Sequence, residues 1–297
     1  MVYLKRFELP GEGAEECFLQ NSRENKRTCY TSRYPFGIFP GKRLTHLELE
    51  PVTLLCGGNG SGKTTLLNLM GEKLELRRGA VFNRSAFYGD YLRLCRAETA
   101  PAFGREERAA SRVITSDDVF DWLLEQRQIN EGIGRRRQEL LEEYASAKYA
   151  HVRLRSLEDY DALKQSVDAK RLTASRYVRD RVMNDVPGKS NGESAFLYFT
   201  REVGEQGLYL LDEPENSLSP RLQLELVRFL EDSVRFYGCQ LVIATHSPFL
   251  LAMRDAKIYD LDRLPAAPCR WTQLEHVRTF YRFFRERSGE FEDEGPF

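Results

Sequence analysis

Gly57-Gly58-Asn59-Gly60-Ser61-Gly62-Lys63-Thr64, running on into Thr65-Leu66-Leu67-Asn68-Leu69-Met70, is the stretch that decides the fold. Ahead of it stands the short apolar run Val52-Thr53-Leu54-Leu55-Cys56, and behind it Leu66, Leu69 and Met70 recur at helical spacing. Strand, glycine loop and helix in that order match G-x-x-x-x-G-K-[ST] in full. Glycines let successive backbone N–H groups turn inward around an anion, and the helix N-terminus adds the positive end of its dipole. Lys63 can reach the β and γ phosphates of a nucleotide, and the Thr64 hydroxyl can ligate Mg²⁺. The alternative is a glycine-rich turn that happens to precede a lysine; the flanking strand and helix weigh against it.

A second segment supplies what such a cradle lacks. Leu208-Tyr209-Leu210-Leu211 reads as a buried strand ending in Asp212-Glu213-Pro214-Glu215, and ligands bind at the carboxyl ends of strands in open α/β sheets. Asp212 is positioned to hold Mg²⁺ and Glu213 to orient and polarise an attacking water. Glu215, two residues on, reads as structural. A further strand, Leu241 to Ala244, ends in Thr245-His246-Ser247-Pro248, which puts His246 at an equivalent strand end, within reach of a γ-phosphate or the attacking water. A lone histidine is more often a structural residue, and only this position argues otherwise.

Composition bounds the rest. The 297 residues carry 44 Lys plus Arg against 45 Asp plus Glu, a formal charge of −1, with 41% hydrophobic residues. Disordered and fibrous classes are excluded. The aliphatic runs fall far short of the roughly 18–20 residues a membrane-spanning helix needs. Charges at Lys5, Arg6 and Glu8 argue against a secretory signal, so a cytoplasmic location is expected. The cysteines at 17, 29, 56, 95, 239 and 269 are scattered without a close pair, so neither a zinc site nor a disulfide framework is indicated.

Along the chain, Val2 to Leu9 reads as a strand, residues 11–33 as polar and irregular, and Leu44 to Glu50 as a half-buried strand. Between 105 and 187 β-branched runs become rare and helix formers dominate. One helix is expected to begin at Asp117-Asp118 and be interrupted at Gly132 and Gly134; the next places Leu140, Tyr144, Ala147 and Leu154 on a stripe into which Arg137 and His151 intrude. After Pro187 short apolar strands return, with Pro220 to Phe236 as a helix and Lys257 to Leu261 as a last strand. Strands apolar throughout imply a mainly parallel sheet with helices on both sides. The expected organisation is α/β: a discontinuous core at 1–104 and 188–297 with a helical insert at 105–187, and a loose tail from Ser288 to Phe297.

In order and type, Gly57 to Thr64, Leu208 to Glu213 and His246 resemble the ABC-type P-loop ATPases, and most closely the small stand-alone bacterial, AAA-labelled and SMC/RecF-like members. Ser190-Asn191-Gly192-Glu193-Ser194, opening a helix to Glu205, resembles the signature segment of that superfamily in its S-x-G-E form. It departs from the transporters' L-S-G-G-Q at Lys189, Asn191 and Glu193. The resemblance implies ATP and Mg²⁺ as ligands, with Gly57, Gly58, Asn59, Gly60, Ser61, Gly62, Lys63, Thr64 and Thr65 around the phosphates. It also implies that two chains meet head to tail in the ATP state, with Ser190, Gly192 and Glu193 acting on the nucleotide of the other chain. Asn216-Ser217-Leu218-Ser219-Pro220 resembles the loop between the two sites, with Ser219 where transporters have Asp. No glutamine stands clearly at the metal-sensing loop, where Ser116 or Asp117 occupies the position. Tyr34, Phe36 and Phe39 are candidates for stacking on a base, although packing would equally explain them.

The partner is less legible. Lys164 to Lys189 holds seven basic residues and three acids, a patch that would suit nucleic acid; a solvated helix face is the favoured reading, since no aromatic residues interleave with the charges. Arg135-Arg136-Arg137 is similarly ambiguous. The leading expectation is Mg²⁺-dependent ATP hydrolysis by a homodimer that drives an unidentified protein partner, with DNA a candidate partner in repair or phage defence and no membrane insertion. The alternatives are a transporter's ATPase subunit working with a separate permease, and a nucleotide-gated binding module whose turnover is incidental.

Overall fold

A computed structural model of the chain describes all residues except 23, 24, 28, 31, 151–159, 186–189 and 293–297. The chain divides into two compact units, Met1–Val119 with Asn191–Phe297, and Phe120–Ser190. The first unit opens with β1 (Leu4–Glu8), α1 (Glu12–Asn21), β2 (His46–Glu48), β3 (Val52–Cys56) and α2 (Lys63–Lys73). There follow α3 (Tyr88–Leu94), β4 (Arg96–Thr99), α4 (Arg105–Ala110), β5 (Arg112–Thr115) and the long α5 (Ser116–Tyr149), which leads into the second unit. That unit continues with α6 (Tyr160–Arg171) and α7 (Ala174–Arg179). Back in the first unit come α8 (Asn191–Glu202), β6 (Leu208–Asp212), α9 (Pro220–Phe236), β7 (Gln240–Ala244), α10 (Pro248–Leu251), β8 (Lys257–Asp260), β9 (Ala267–Cys269), α11 (Glu275–Glu286) and α12 (Ser288–Glu292).

Six strands form one sheet in the order β5-β6-β7-β3-β8-β9, parallel except for β9 at its edge. Every residue of β3, β6 and β7 is buried, as expected of strands covered on both faces. A separate antiparallel sheet of order β2-β1-β4 stands beside it. The two are joined by the fully buried Gln240: its Oε1 accepts from the N–H groups of Tyr3 at 2.7 Å and Leu4 at 2.8 Å, and its Nε2 donates to Leu4 O at 2.8 Å. An apolar core including Phe7, Leu47, Leu55, Leu66, Met70 and Tyr91 fills the first unit. The second unit has its own small core of Leu140, Tyr144, Ala169, Tyr177 and Val178.

Several expectations are corrected. Residues 105–119 lie in the first unit, because Val113 and Ile114 pair with Leu210 and Leu211 to make β5 the edge of the central sheet. Gly132 and Gly134 do not interrupt α5; a glycine costs a helix only about 1 kcal/mol, and strong helix formers surround both. Residues 12–21 are helical rather than irregular, and 288–292 form α12 rather than a loose tail. Lys257 to Leu261 does not hold the last strand, since β9 follows it and pairs antiparallel with β8. Leu140 and Tyr144 are buried as the stripe requires, while Arg137 turns out to Asp185 at 3.0 Å. His151, Leu154, Pro187, Lys189 and the last five residues lie outside the described residues. Among the described residues no helix is long and apolar enough to cross a membrane.

Candidate functional site

Strand register brings the functional segments level. Asp212, the last residue of β6, pairs with Ala244 at the end of β7, and Ala244 pairs with Leu55 of β3. The chain therefore leaves three adjacent parallel strands at one height: into the glycine loop after β3, into Glu213 after β6, and into Thr245-His246 after β7. Glu213 N–H donates to Ala244 O at 2.9 Å, which carries the pairing one residue beyond the sheet. That turn needs a left-handed residue, and Glu213 has φ 49°, an unusual conformation for a side chain of its size.

The loop requires glycine where it is tightest. Gly62 has φ 97°, and a Cβ there would come within 3.0 Å of the Phe39 ring. Gly57 closes the turn so tightly that a Cβ would lie 2.7 Å from Ser61 Oγ. Lys63 is buried and its Nζ donates to Gly57 O at 2.7 Å and Gly58 O at 3.1 Å, so its charge is held against the loop's own carbonyls. Gly58 N–H donates to Asp262 Oδ2 at 2.5 Å. Asp262, on the turn after β8, anchors the loop from outside; it was missed in the sequence, where the only cue was one more acid close behind a strand.

On the other side of α2, the Thr64 hydroxyl donates to Asp212 Oδ1 at 3.2 Å. Burial pushes the Asp212 carboxyl up to about 6 and the neighbouring Glu213 adds to the rise, while the Thr64 hydrogen bond and Lys63 oppose it. Thr64 and Asp212 open on a cleft of about 840 Å³ that Tyr34, Asn68, Ser116 and Asp117 also line. Tyr34 donates its hydroxyl to Thr65 Oγ1 at 3.0 Å. The other two stacking candidates, Phe36 and Phe39, are buried in the core and are removed from that role.

His246 Nε2 lies 3.5 Å from Glu213 Oε1 and makes no hydrogen bond among the described residues; that atom is covered, although the side chain as a whole is 36% exposed. Asn216 Nδ2 donates to the other Glu213 oxygen at 3.1 Å. Glu215 holds the histidine's backbone: its Oε1 accepts from Thr245 Oγ1 at 2.7 Å, His246 N at 2.6 Å and Ser247 N at 3.1 Å. One carboxylate thus ties the turn after β7 to the turn after β6. Of the signature segment, Ser190 ends the second unit while Gly192 and Glu193 stand in the first turn of α8. A Cβ on Gly192 would lie 2.9 Å from Ser217 O, so the glycine lets α8 close on the loop after Glu215. The structure thus draws the glycine loop, Asp212, Glu213 and His246 into one place and sets Gly192 against Ser217.

Among the described residues no three or more His, Cys, Asp or Glu side chains cluster as a metal site of their own. A hydroxyl and one carboxylate, as at Thr64 and Asp212, instead match the way Mg²⁺ is held, through one or two protein oxygens, water and substrate phosphates.

A family model described as "ABC transporter" matches residues 45–216. A second, described as "AAA domain, putative AbiEii toxin, Type IV TA system", matches residues 190–252. No curated protein matches the chain. Among solved structures, the Smc head domain with an extended coiled coil bound to the C-terminal domain of ScpA, from Pyrococcus furiosus, is 11% identical, covers 95% of this chain and 100% of its own, and has a TM-score of 0.44. The dimeric bacterial ABC transporter cassette MJ0796 is 16% identical over 76% of this chain and 88% of its own, with a TM-score of 0.34. Neither likeness bears on substrate or partner.

Proposed function

Because the chain belongs to the ABC transporter family and is an ABC-type P-loop ATPase, we propose that its own residues divide the work of Mg²⁺-dependent ATP hydrolysis between the clustered strand ends. The N–H groups of Asn59 to Thr64 and the Lys63 ammonium hold the phosphates. Thr64 and Asp212 hold the metal, which when bound neutralises charge on the phosphate oxygens. Glu213 takes the proton of the attacking water, and His246 presents Nε2 to the terminal phosphate. The observation that carries this reading is His246 Nε2, a covered atom that makes no hydrogen bond and lies 3.5 Å from Glu213 Oε1: a covered polar atom without a hydrogen bond is costly, and a guest between the loop and Glu213 would supply one.

Two copies then close head to tail around the nucleotides, with Ser190, Gly192 and Glu193 of each completing the other's site. The closure drives or gates a protein partner, in a DNA-associated setting such as repair or phage defence. Ion pairs already take up Asp168, Asp180 and Asp185 with Arg181, Arg176 and Arg137, which supports a solvated face for the basic segment. Lys63→Ala tests the cradle: the proposal expects nucleotide affinity to fall at least a hundredfold, and unchanged affinity would refute it.

A further inference from the structure

Helix α11 lies beyond both matched family segments, and its surface is unlike the rest of the site. Val277 is buried and pins it to the core, yet Phe280, Tyr281, Phe283, Phe284 and Phe291 of α12 are 48–64% exposed. At 100° per residue Phe280, Tyr281 and Phe284 share the face of Val277, Arg278 and Arg285 flank that face beside Tyr281, and Arg282 falls farther round. Between the aromatic face and the segments that follow β6 and β7 runs a trough of about 910 Å³, almost wholly apolar, whose far wall includes Asn216 and His246. The trough therefore begins at the nucleotide site and continues outward under α11.

We propose that this trough and the aromatic face of α11 form the outer part of the head-to-tail interface, seated by a second copy of this chain. The inference rests on the dimer reading above. In that reading the loop at Asn216 runs between the two sites, so a surface continuous with it through the trough is covered by the same body, and two-fold symmetry lets one patch serve both chains. Each half-exposed ring offers on the order of 100 Å², so the three that line the trough, Phe280, Tyr281 and Phe284, supply roughly 300 Å² of the about 800 Å² per partner that a stable interface buries. The chain's charge of −1 sets up little repulsion between copies. Single-stranded nucleic acid fits less well, because the trough's lining carries one arginine, Arg278, against one acid, Glu215, too little positive charge to track a phosphate backbone.

The test uses the full chain carrying Glu213→Gln to slow turnover, with solution mass measured by light scattering in ATP and Mg²⁺. Adding Tyr281→Glu and Phe284→Glu is expected to weaken dimerisation at least tenfold while ATP affinity and the melting temperature of the monomer stay unchanged. Hydrogen exchange over residues 275–286 is expected to slow on adding ATP only at concentrations where the dimer forms. If the parent chain dimerises and the double variant dimerises equally well, the inference fails and the dimer reading stands. A parent chain that binds ATP and stays monomeric overturns the dimer reading and this inference with it. Binding of a single-stranded oligonucleotide that the double variant loses, with dimerisation unaffected, would assign the face to nucleic acid and overturn the inference as well.

Discussion

Glu215 accepts the backbone N–H of His246 at 2.6 Å, so an acid two residues past the proposed water-activating Glu213 sets where the histidine's chain can go. With the Thr245 hydroxyl and Ser247 N–H on the same oxygen, it leaves the turn after β7 little freedom. Glu215→Ala strands three donors; losing hydrogen bonds to a charged acceptor costs about 2–3 kcal/mol in all, or roughly 5–10 °C in melting temperature for a unit of this size. Beyond that loss, steady-state kcat should fall at least tenfold with ATP affinity held, since misplacement of the order of 1 Å costs rate rather than binding. Glu215→Gln, which keeps an acceptor oxygen, should recover part of the rate. Calorimetry and turnover assays on both variants check this.

The Asp212 carboxyl titrates at about 6 in the folded chain because it is buried, whereas an unfolded Asp titrates near 3.9. Its folded value is raised, so its contribution to stability is fully present below the unfolded value and is lost as pH rises through about 6. Without nucleotide, Asp212→Asn should therefore stabilise the protein at pH 7 by ~1–3 kcal/mol, an advantage that shrinks as pH falls from 6 towards 4. The same variant should lose metal-dependent turnover. Mg²⁺ activation of the unmutated chain should weaken below about pH 6, where a proton competes for the carboxylate. Melting curves across pH, with Mg²⁺ titrations of activity, measure both effects.

Gln240 carries the joint between the two sheets of the first unit. Truncation to Ala leaves the N–H groups of Tyr3 and Leu4 and the carbonyl of Leu4 without their partner in the core, and should cost about 3–4 kcal/mol of stability. ATP affinity should survive wherever the protein stays folded, because Gln240 lies at the opposite end of β7 from His246. Denaturant unfolding and nucleotide titration of the same sample separate the two effects.

The parts of this molecule that were legible in the sequence are those where chemistry constrains residue type. The glycine loop, the acid pair after Leu208 to Leu211 and the histidine after Leu241 to Ala244 each follow an apolar strand, and register then aligns them without further information. What the sequence hid depends on tertiary partners. Arg112-Val113-Ile114-Thr115 is too short to stand out from helix-rich neighbours and becomes β5 only by pairing with β6. Phe36 and Phe39 look like base-stacking rings until the core claims them. Asp262 and Glu215 act on backbone N–H groups far away in sequence, which no local pattern marks. Helix α11 is amphipathic, but its proposed role depends on the trough that the turns after β6 and β7 build beside it.

The proposed role of Glu213, held beside His246, is to activate the water that attacks ATP. Steady-state phosphate release by Glu213→Gln, compared with the unmutated chain in saturating ATP and Mg²⁺, tests it most directly. A fall of at least a hundredfold with nucleotide affinity retained is expected. Turnover within a few-fold of the unmutated chain would contradict it.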